Sequence, residues 1–387
     1  MKKKSVFLIV AAALAIVAIM VSIRLSKKES DKYLIGVIGP LSGEGASYGI
    51  AMKQGIEMAI EEINSRGGIN GVSLEAVYED DKLLPKEGVS AFGKLVSAYT
   101  IPVIIGSAAS RVTLSIAPIA EQQKVVLISP ISTTDELKDA GDYIFRNVPP
   151  NHMQGKTAAQ FVMHYLKRAK AAILYKNYYY GSNLAPSFRE YFRSGGTIVF
   201  DESYEITQRD FRNVLSKLKQ TEPEVVFMPG NYQDNALILK QAREAGVTIP
   251  FIGGDGAFST ELINLAGATA AEGSYYTMMG IPKSAEVETF IANFKKKYAT
   301  SEEPNVFALY AYDAMMIIVK SIEMGGYSSE GIKNALYTIE YQGVTGLLKF
   351  DQYGEVDKPY SIYTVKDGKF TLLDWNPNPE QNSPSKQ

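Results

Sequence analysis

The chain has 387 residues, 46% of them hydrophobic and 21% charged. These ordinary globular values exclude wholesale disorder, collagen and coiled coil, and the length suits two or three domains of about 100–200 residues each. Lys plus Arg is 40 against 42 Asp plus Glu, a net charge of −2, with no basic surplus that would call for nucleic acid. Cysteine is absent and the only histidines are His152 and His164. Disulfides, thiolate-ligated metals, a thiol nucleophile, a lipidated N-terminal cysteine and a His-rich metal site are therefore excluded.

Residues 1–31 read as an export segment. Lys2, Lys3 and Lys4 precede an uncharged run from Val6 to Ile23 in which only Ser22 is polar. A basic start and an apolar run mark a secretory signal. At about 1.5 Å per residue the run spans roughly 27 Å, just enough for a bilayer core. Met20–Ile23 offers no good small-x-small cleavage site. The expectation is an uncleaved anchor, with a removed signal peptide as the alternative. In both cases the chain from Asp31 onward lies outside the cytoplasmic membrane. No second run of spanning length occurs, which argues against a channel or a transporter's membrane subunit.

Tyr33–Ile38 is a short apolar run ending in Gly39-Pro40, and reads as a buried strand. Ile50–Asn64 carries apolar residues at helical spacing and stops at Gly67-Gly68. The alternation repeats: strand Val72–Tyr78, helix Lys86–Ala98, strand Val103–Ile105, helix Val112–Gln122, strand Val125–Ile128. A second series follows Pro149-Pro150. It runs helix Met153–Leu166, strand Ala171–Tyr175, helix Leu184–Arg193, strand Thr197–Tyr204, helix Asp210–Lys219, strand Glu224–Met228, helix Asn235–Ala245 and strand Ile249–Ile252. Further helices are expected at Ala285–Tyr298, Val306–Met324 and Ser329–Thr338, and further strands at Leu347–Phe350, Tyr360–Val365 and Lys369–Leu373. Buried strands alternating with amphipathic helices predict α/β lobes, each a parallel sheet with helices on both faces. Residues 376–387 are rich in Pro, Asn, Ser and Gln and read as a disordered tail.

The stretch from Gly106 to Pro130 matches that from Gly230 to Gly254 in length and in its order of strand, glycine, helix and strand. This hints that two lobes share one plan and face each other across a cleft at their strand ends, where open parallel sheets bind ligands. Ser110, Thr113, Ser132, Thr133 and Thr134 gather on two loops after strands. Each hydroxyl could simply cap a helix; two such loops together suit a carboxylate. Asp255, in Gly253-Gly254-Asp255-Gly256, is either a turn former or a partner for an ammonium group. Tyr178, Tyr179 and Tyr180 suit packing or a ligand wall. Glu79-Asp80-Asp81 reads as a solvated loop rather than a metal site. No nucleophile elbow, Walker A, dinucleotide fingerprint or H-E-x-x-H sequence occurs.

The opening Tyr33–Gly43 with Tyr48-Gly49, then Ala59–Asn64 and Gly67–Gly71, resembles that of branched-chain amino-acid (Leu/Ile/Val) binding proteins, the type I periplasmic solute-binding proteins of ABC transporters. The likeness continues through Gly106–Thr113, Ile128–Thr133, Gly181, Gly253–Gly256 and Tyr312-Asp313-Ala314, and covers about 32–373. It implies a two-lobed fold with three hinge crossings near 147–151, 276–281 and 344–348. Lobe 1 would comprise 32–148 and 279–345, and lobe 2 149–278 and 346–375. It further implies that Ser110, Thr133 and the backbone of Ile131 hold a ligand carboxylate and that Asp255 receives an ammonium group. Tyr48 and Tyr180 would form walls, and either Asn231 or Tyr232 would face the cleft. Arg111, unusual beside Ser110, is left between facing solvent and favouring a more acidic ligand.

The function expected is that of an extracytoplasmic solute-binding component of an ABC uptake system. It would hold an amino acid, branched-chain or otherwise apolar, between lobes and deliver it to membrane permease subunits, with no cofactor, metal or catalysis. A ligand-sensing receptor of the same fold, or a binder of another small carboxylate, is the alternative.

Overall fold

A computed structural model describes residues 32–375; the expected anchor and tail lie outside the described residues. The first lobe begins with β1 (Lys32–Gly39), α1 (Ala46–Ser65), β2 (Ser73–Asp80), α2 (Pro85–Tyr99), β3 (Val103–Gly106), α3 (Ser110–Gln123), β4 (Val126–Ser129) and β5 (Ile144–Arg146). These strands form an all-parallel sheet in the order β2-β1-β3-β4-β5. Both faces are covered. Val103 and Ile105 of β3 enter the core with Met52 and Ile56 of α1, while Ile104 packs on the other side with Phe92 of α2 and Ile116 of α3. Such two-sided burial is why the strands read as continuous apolar runs.

The second lobe contains α4 (Asn151–Gln160), β6 (Lys170–Lys176), α5 (Tyr179–Phe192), β7 (Thr197–Tyr204), α6 (Arg212–Gln220), β8 (Val225–Met228), α7 (Tyr232–Glu244), β9 (Phe251–Gly253), α8 (Thr260–Ala266), α9 (Ala268–Ala271) and β10 (Tyr275–Met279). The chain then returns to the first lobe with α10 (Ala285–Tyr298), α11 (Val306–Gly325) and α12 (Ser329–Leu336). The small ribbon of β11 (Tyr341–Gly343) and β12 (Gly346–Leu348) follows, and β13 (Tyr360–Lys366) and β14 (Lys369–Leu372) close the second sheet. That sheet runs β14-β13-β10-β9-β8-β6-β7 and is not wholly parallel. β13 and β14 pair antiparallel at its edge, because the chain enters β13 from the lobe junction and turns back tightly at Asp367-Gly368.

The parallel strands of the two sheets share one order. Taking β6 to β10 as a second count of one to five, each sheet reads 2-1-3-4-5, which is the shared plan hinted at by the Gly106 and Gly230 stretches. Each sheet therefore reverses direction once, between β1 and β3 and between β6 and β8. The loops after these strands form the crevice where this architecture receives ligands.

α11 is buried all round from Val306 to Val319, as expected of a helix packed on several sides. It lies directly on α1: a Cβ placed on Gly55 would stand 1.9 Å from the carbonyl oxygen of Ala308. Three passages join the lobes side by side. Tyr310 Oη donates to Gly280 O at 2.9 Å, and Tyr360 Oη to Pro149 O at 2.9 Å. Gly280 N donates to Pro359 O at 2.8 Å. The third passage runs beyond 344–348. Phe350 still packs against Phe145 with ring centroids 5.3 Å apart, and Arg146 N donates to Gly354 O at 3.0 Å.

Candidate ligand-binding cleft

Between the lobes lies a cleft of about 680 Å³ of empty space, the open solvent at its mouth included. Its walls come from the strand-end loops of both sheets. The first lobe contributes Tyr48, Ser110, Arg111, Ile131, Thr133 and Phe307; the second contributes Tyr178, Tyr180, Asn231 and Asp255.

The five clustered hydroxyls separate cleanly. Thr113 Oγ1 meets Ser132 Oγ at 2.6 Å, and both bond to the Ser107 carbonyl, so they brace the two loops against each other. Thr134 caps a short 3-10 turn by accepting from Glu136 N at 3.4 Å. Ser110 and Thr133 are the exceptions: both line the cleft and neither hydroxyl has a bond within the described residues. Ser110 does not cap its own helix, because α3 starts at Ser110 itself, with Ala109 in the capping position. The N–H of Ile131 is held only loosely, by Ser129 Oγ at 3.4 Å. This edge of the cleft therefore presents two unbonded hydroxyls, that of Ser110 at the N-terminus of α3 and that of Thr133 on the loop after β4.

Across the cleft Asp255 is 3% exposed. Its Oδ1 accepts from Gln154 Nε2 at 3.0 Å, from Gly256 N at 3.0 Å and from Tyr180 Oη. Oδ2 makes no bond within the described residues. Burial pushes this carboxyl above its ordinary range, and the three donors oppose that shift only in part. Burial, and then the neighbouring Asp255 charge, holds the Tyr180 phenol well above its usual range, so Tyr180 stays a donor. Gln154 is fixed in turn by Thr277 Oγ1 at 2.9 Å.

The expected site residues thus meet in one place, with one exception. Tyr232 is not part of the lining. Its ring packs edge-on against Tyr48 with centroids 5.7 Å apart, and its hydroxyl donates to Glu44 O at 3.1 Å. Asn231, one residue earlier, takes the cleft position and accepts from Tyr178 Oη at 2.6 Å. Tyr48 adds a second role beyond that of a wall, since its hydroxyl donates to Gly256 O across the cleft at 2.5 Å. Sequence reasoning missed Gln154, a polar residue on the buried side of α4, and the charged pair Glu44 and Lys176 at the cleft mouth, 3.1 Å apart. Glu79-Asp80-Asp81 is not a solvated loop. Asp81 is fully buried and accepts from Leu83 N at 2.8 Å and from Ser107 Oγ, while Asp80 accepts from Leu41 N at 2.9 Å. Among the described residues no cluster of His, Asp and Glu has metal-ligand geometry.

The family model for periplasmic binding proteins matches residues 32–369. The chain belongs to the periplasmic binding protein family. Within it, the chain is similar to the leucine-, isoleucine-, valine-, threonine- and alanine-binding protein of Pseudomonas aeruginosa, 31% identical over 90% of this chain and 91% of that protein. Among solved structures it is similar to the branched-chain amino acid transporter substrate-binding protein LivJ of Streptococcus pneumoniae in complex with isoleucine. That likeness has a TM-score of 0.83 and 32% identity, and covers 88% of this chain and 99% of that one. The leucine-binding protein LivK of Thermotoga maritima is similar at TM-score 0.83 and 29% identity, over 88% and 97% of the two chains. The type I periplasmic-binding fold expected from the sequence is therefore the fold of this chain, and the family is one of solute-binding proteins rather than enzymes. No helix of the described residues is long and apolar enough to cross a membrane.

Proposed function

We propose that this periplasmic binding protein is the extracytoplasmic solute-binding component of an ABC uptake system, and that its ligand is an α-amino acid with an apolar, branched side chain. The observation that carries the reading is a pair of complementary open positions on opposite lobes. Asp255 keeps one carboxylate oxygen unbonded, and Ser110 and Thr133 keep their hydroxyls unbonded, across a single cleft. An ammonium group suits the first and a carboxylate the second. Ile131, Phe307, Leu83 and the tyrosine rings supply apolar area for the side chain. The names of the similar proteins, which bind leucine, isoleucine and valine, support the same ligand class.

The lobes close about the three passages around the ligand, and the closed form is presented to permease subunits of the membrane. The N-terminal segment carries the chain out of the cytoplasm and keeps it tethered. A thermal-shift screen of amino acids and small carboxylic acids tests the reading, because a ligand that binds only the native state raises its melting temperature. Leucine, isoleucine or valine should give the largest shifts. A screen in which only acids without an amino group respond would replace the amino acid by another carboxylate.

A further inference from the structure

The charged groups lining the cleft do not cancel in pairs. Lys176, 2% exposed at its side chain, is held by Asp234 at 2.7 Å and Glu44 at 3.1 Å, and Asp234 also meets Arg209 at 3.4 Å. Asp255 has only neutral donors around it. Arg111 has no ion pair and no hydrogen bond from its guanidinium among the described residues, and its Nε is shut from solvent without a partner. Its guanidinium carbon stands 6.0 Å from the ring centroid of Tyr178 on the opposite lobe. The carboxylate whose field reaches it, Asp81, lies beyond ion-pair distance and is held by Ser107 and Leu83. One anion and one cation are thus left unpaired in the same cleft, one on each lobe. Asp255 is buried and Arg111 is half-buried with its Nε enclosed; an unpaired charge taken from water is costly, and a partner of opposite sign relieves it.

We infer that Arg111 is the positive pole of the ligand site, receiving the ligand's α-carboxylate beside Ser110 and Thr133, while Asp255 receives the ammonium. This rests on the amino-acid reading above and extends it. Arg111 stands in the first turn of α3, next to Ser110, where the helix N-terminus favours the same anion. A zwitterion with a neutral side chain balances both poles at once. An acidic or basic side chain would bring a further charge into the cleft with nothing to meet it. Because the poles sit on different lobes, only the closed form satisfies both ends of the ligand. Arg111 therefore acts on selectivity for charge rather than on selectivity for side-chain shape.

The test is calorimetric titration of the full-length chain and its Arg111→Gln, Arg111→Lys and Asp255→Asn variants. The probes are L-leucine, 4-methylpentanoate (leucine without its amino group) and L-glutamate, with ligand-free melting temperatures measured alongside. Arg111→Gln should weaken leucine and 4-methylpentanoate alike, by about tenfold or more. Arg111→Lys should recover part of that loss, and the ligand-free melting temperature should stay within a few degrees of the parent. Asp255→Asn should weaken leucine alone. Unchanged affinity for both carboxylates in Arg111→Gln overturns the inference. So does a parent that prefers glutamate to leucine and loses only glutamate in Arg111→Gln, because Arg111 would then read the side chain. If Asp255→Asn leaves leucine binding intact while Arg111→Gln removes it, the ammonium assignment fails and the role of Arg111 stands. If the parent binds none of the three probes, both fall.

Discussion

Tyr48, on the first helix of lobe 1, donates its hydroxyl to the carbonyl oxygen of Gly256 in lobe 2 at 2.5 Å. Its ring also meets Tyr232 and Phe307 edge-on, each with centroids 5.7 Å apart. The hydrogen bond exists only while the lobes are together, so it belongs to the closed form and not to the stability of either lobe. A neutral hydrogen bond contributes about 0.5–1.5 kcal/mol net. Tyr48→Phe keeps the ring and should weaken leucine about two- to tenfold, mainly through faster release. Stopped-flow release rates together with urea unfolding would check this; a variant that unfolds earlier but releases leucine at the parent's rate would place Tyr48 in the core alone.

The pH dependence of binding follows from Asp255. Burial raises its pKa above the ordinary 3.8. A carboxyl raised by folding favours the native state most at pH below its unfolded value, and that contribution is lost as pH rises through the folded value. Ligand binding runs the other way, because only the ionised carboxylate pairs with an ammonium group. Leucine affinity should therefore fall as pH drops through the raised pKa of Asp255, by at most about tenfold per pH unit for one proton. Proton uptake or release measured in buffers of differing ionisation heat would show protons released on binding in the pH range where Asp255 titrates. Asp255→Asn should abolish the dependence.

Lys176 separates a structural pair from a closing one. Asp234, fully buried, is its partner within lobe 2, whereas Glu44 reaches it across the cleft mouth from lobe 1 with its side chain 38% exposed. Removing one member of a buried pair costs about 3–5 kcal/mol, because the other is left uncompensated. Losing Glu44 leaves Lys176 still paired with Asp234, and a carboxylate as exposed as Glu44 adds only about 0–1 kcal/mol. Asp234→Ala should accordingly lower unfolding stability by several kcal/mol, and Glu44→Gln should leave it nearly unchanged while weakening ligand binding a few-fold. Urea denaturation and leucine titration of both variants distinguish the roles; equal losses of stability would refute the division.

The strands and helices of the two lobes were legible because burial on both faces writes itself into the chain. Val103–Ile105 and Val225–Met228 can be little else than interior strands, and the equal spacing after Gly106 and Gly230 reappears as one strand order in both sheets. β5 and β10 escaped because Ile144–Arg146 is only three residues long and Tyr275–Met279 is half polar in appearance. In the cleft, Ser110, Thr133 and Asp255 were legible as polar residues at strand ends. Choosing between Asn231 and Tyr232 was not, since adjacent residues at a helix start differ only in direction, and it is the packing of Tyr232 on Tyr48 that decides. Glu44 with Lys176, and Gln154 with Asp255, join positions 132 and 101 residues apart, beyond any local pattern.

The central claim is that one cleft clamps both ends of an amino acid, and calorimetric titration of L-leucine into the parent and Asp255→Ala chains tests it most directly. Losing one partner of a buried charge pair costs roughly 2–5 kcal/mol, or about 30-fold to several thousand-fold in affinity. Asp255→Ala should therefore come close to losing leucine altogether while keeping the parent's circular dichroism spectrum. A variant that binds leucine within about threefold of the parent, under roughly 0.7 kcal/mol, would contradict the account, because no ammonium group would then be meeting Asp255.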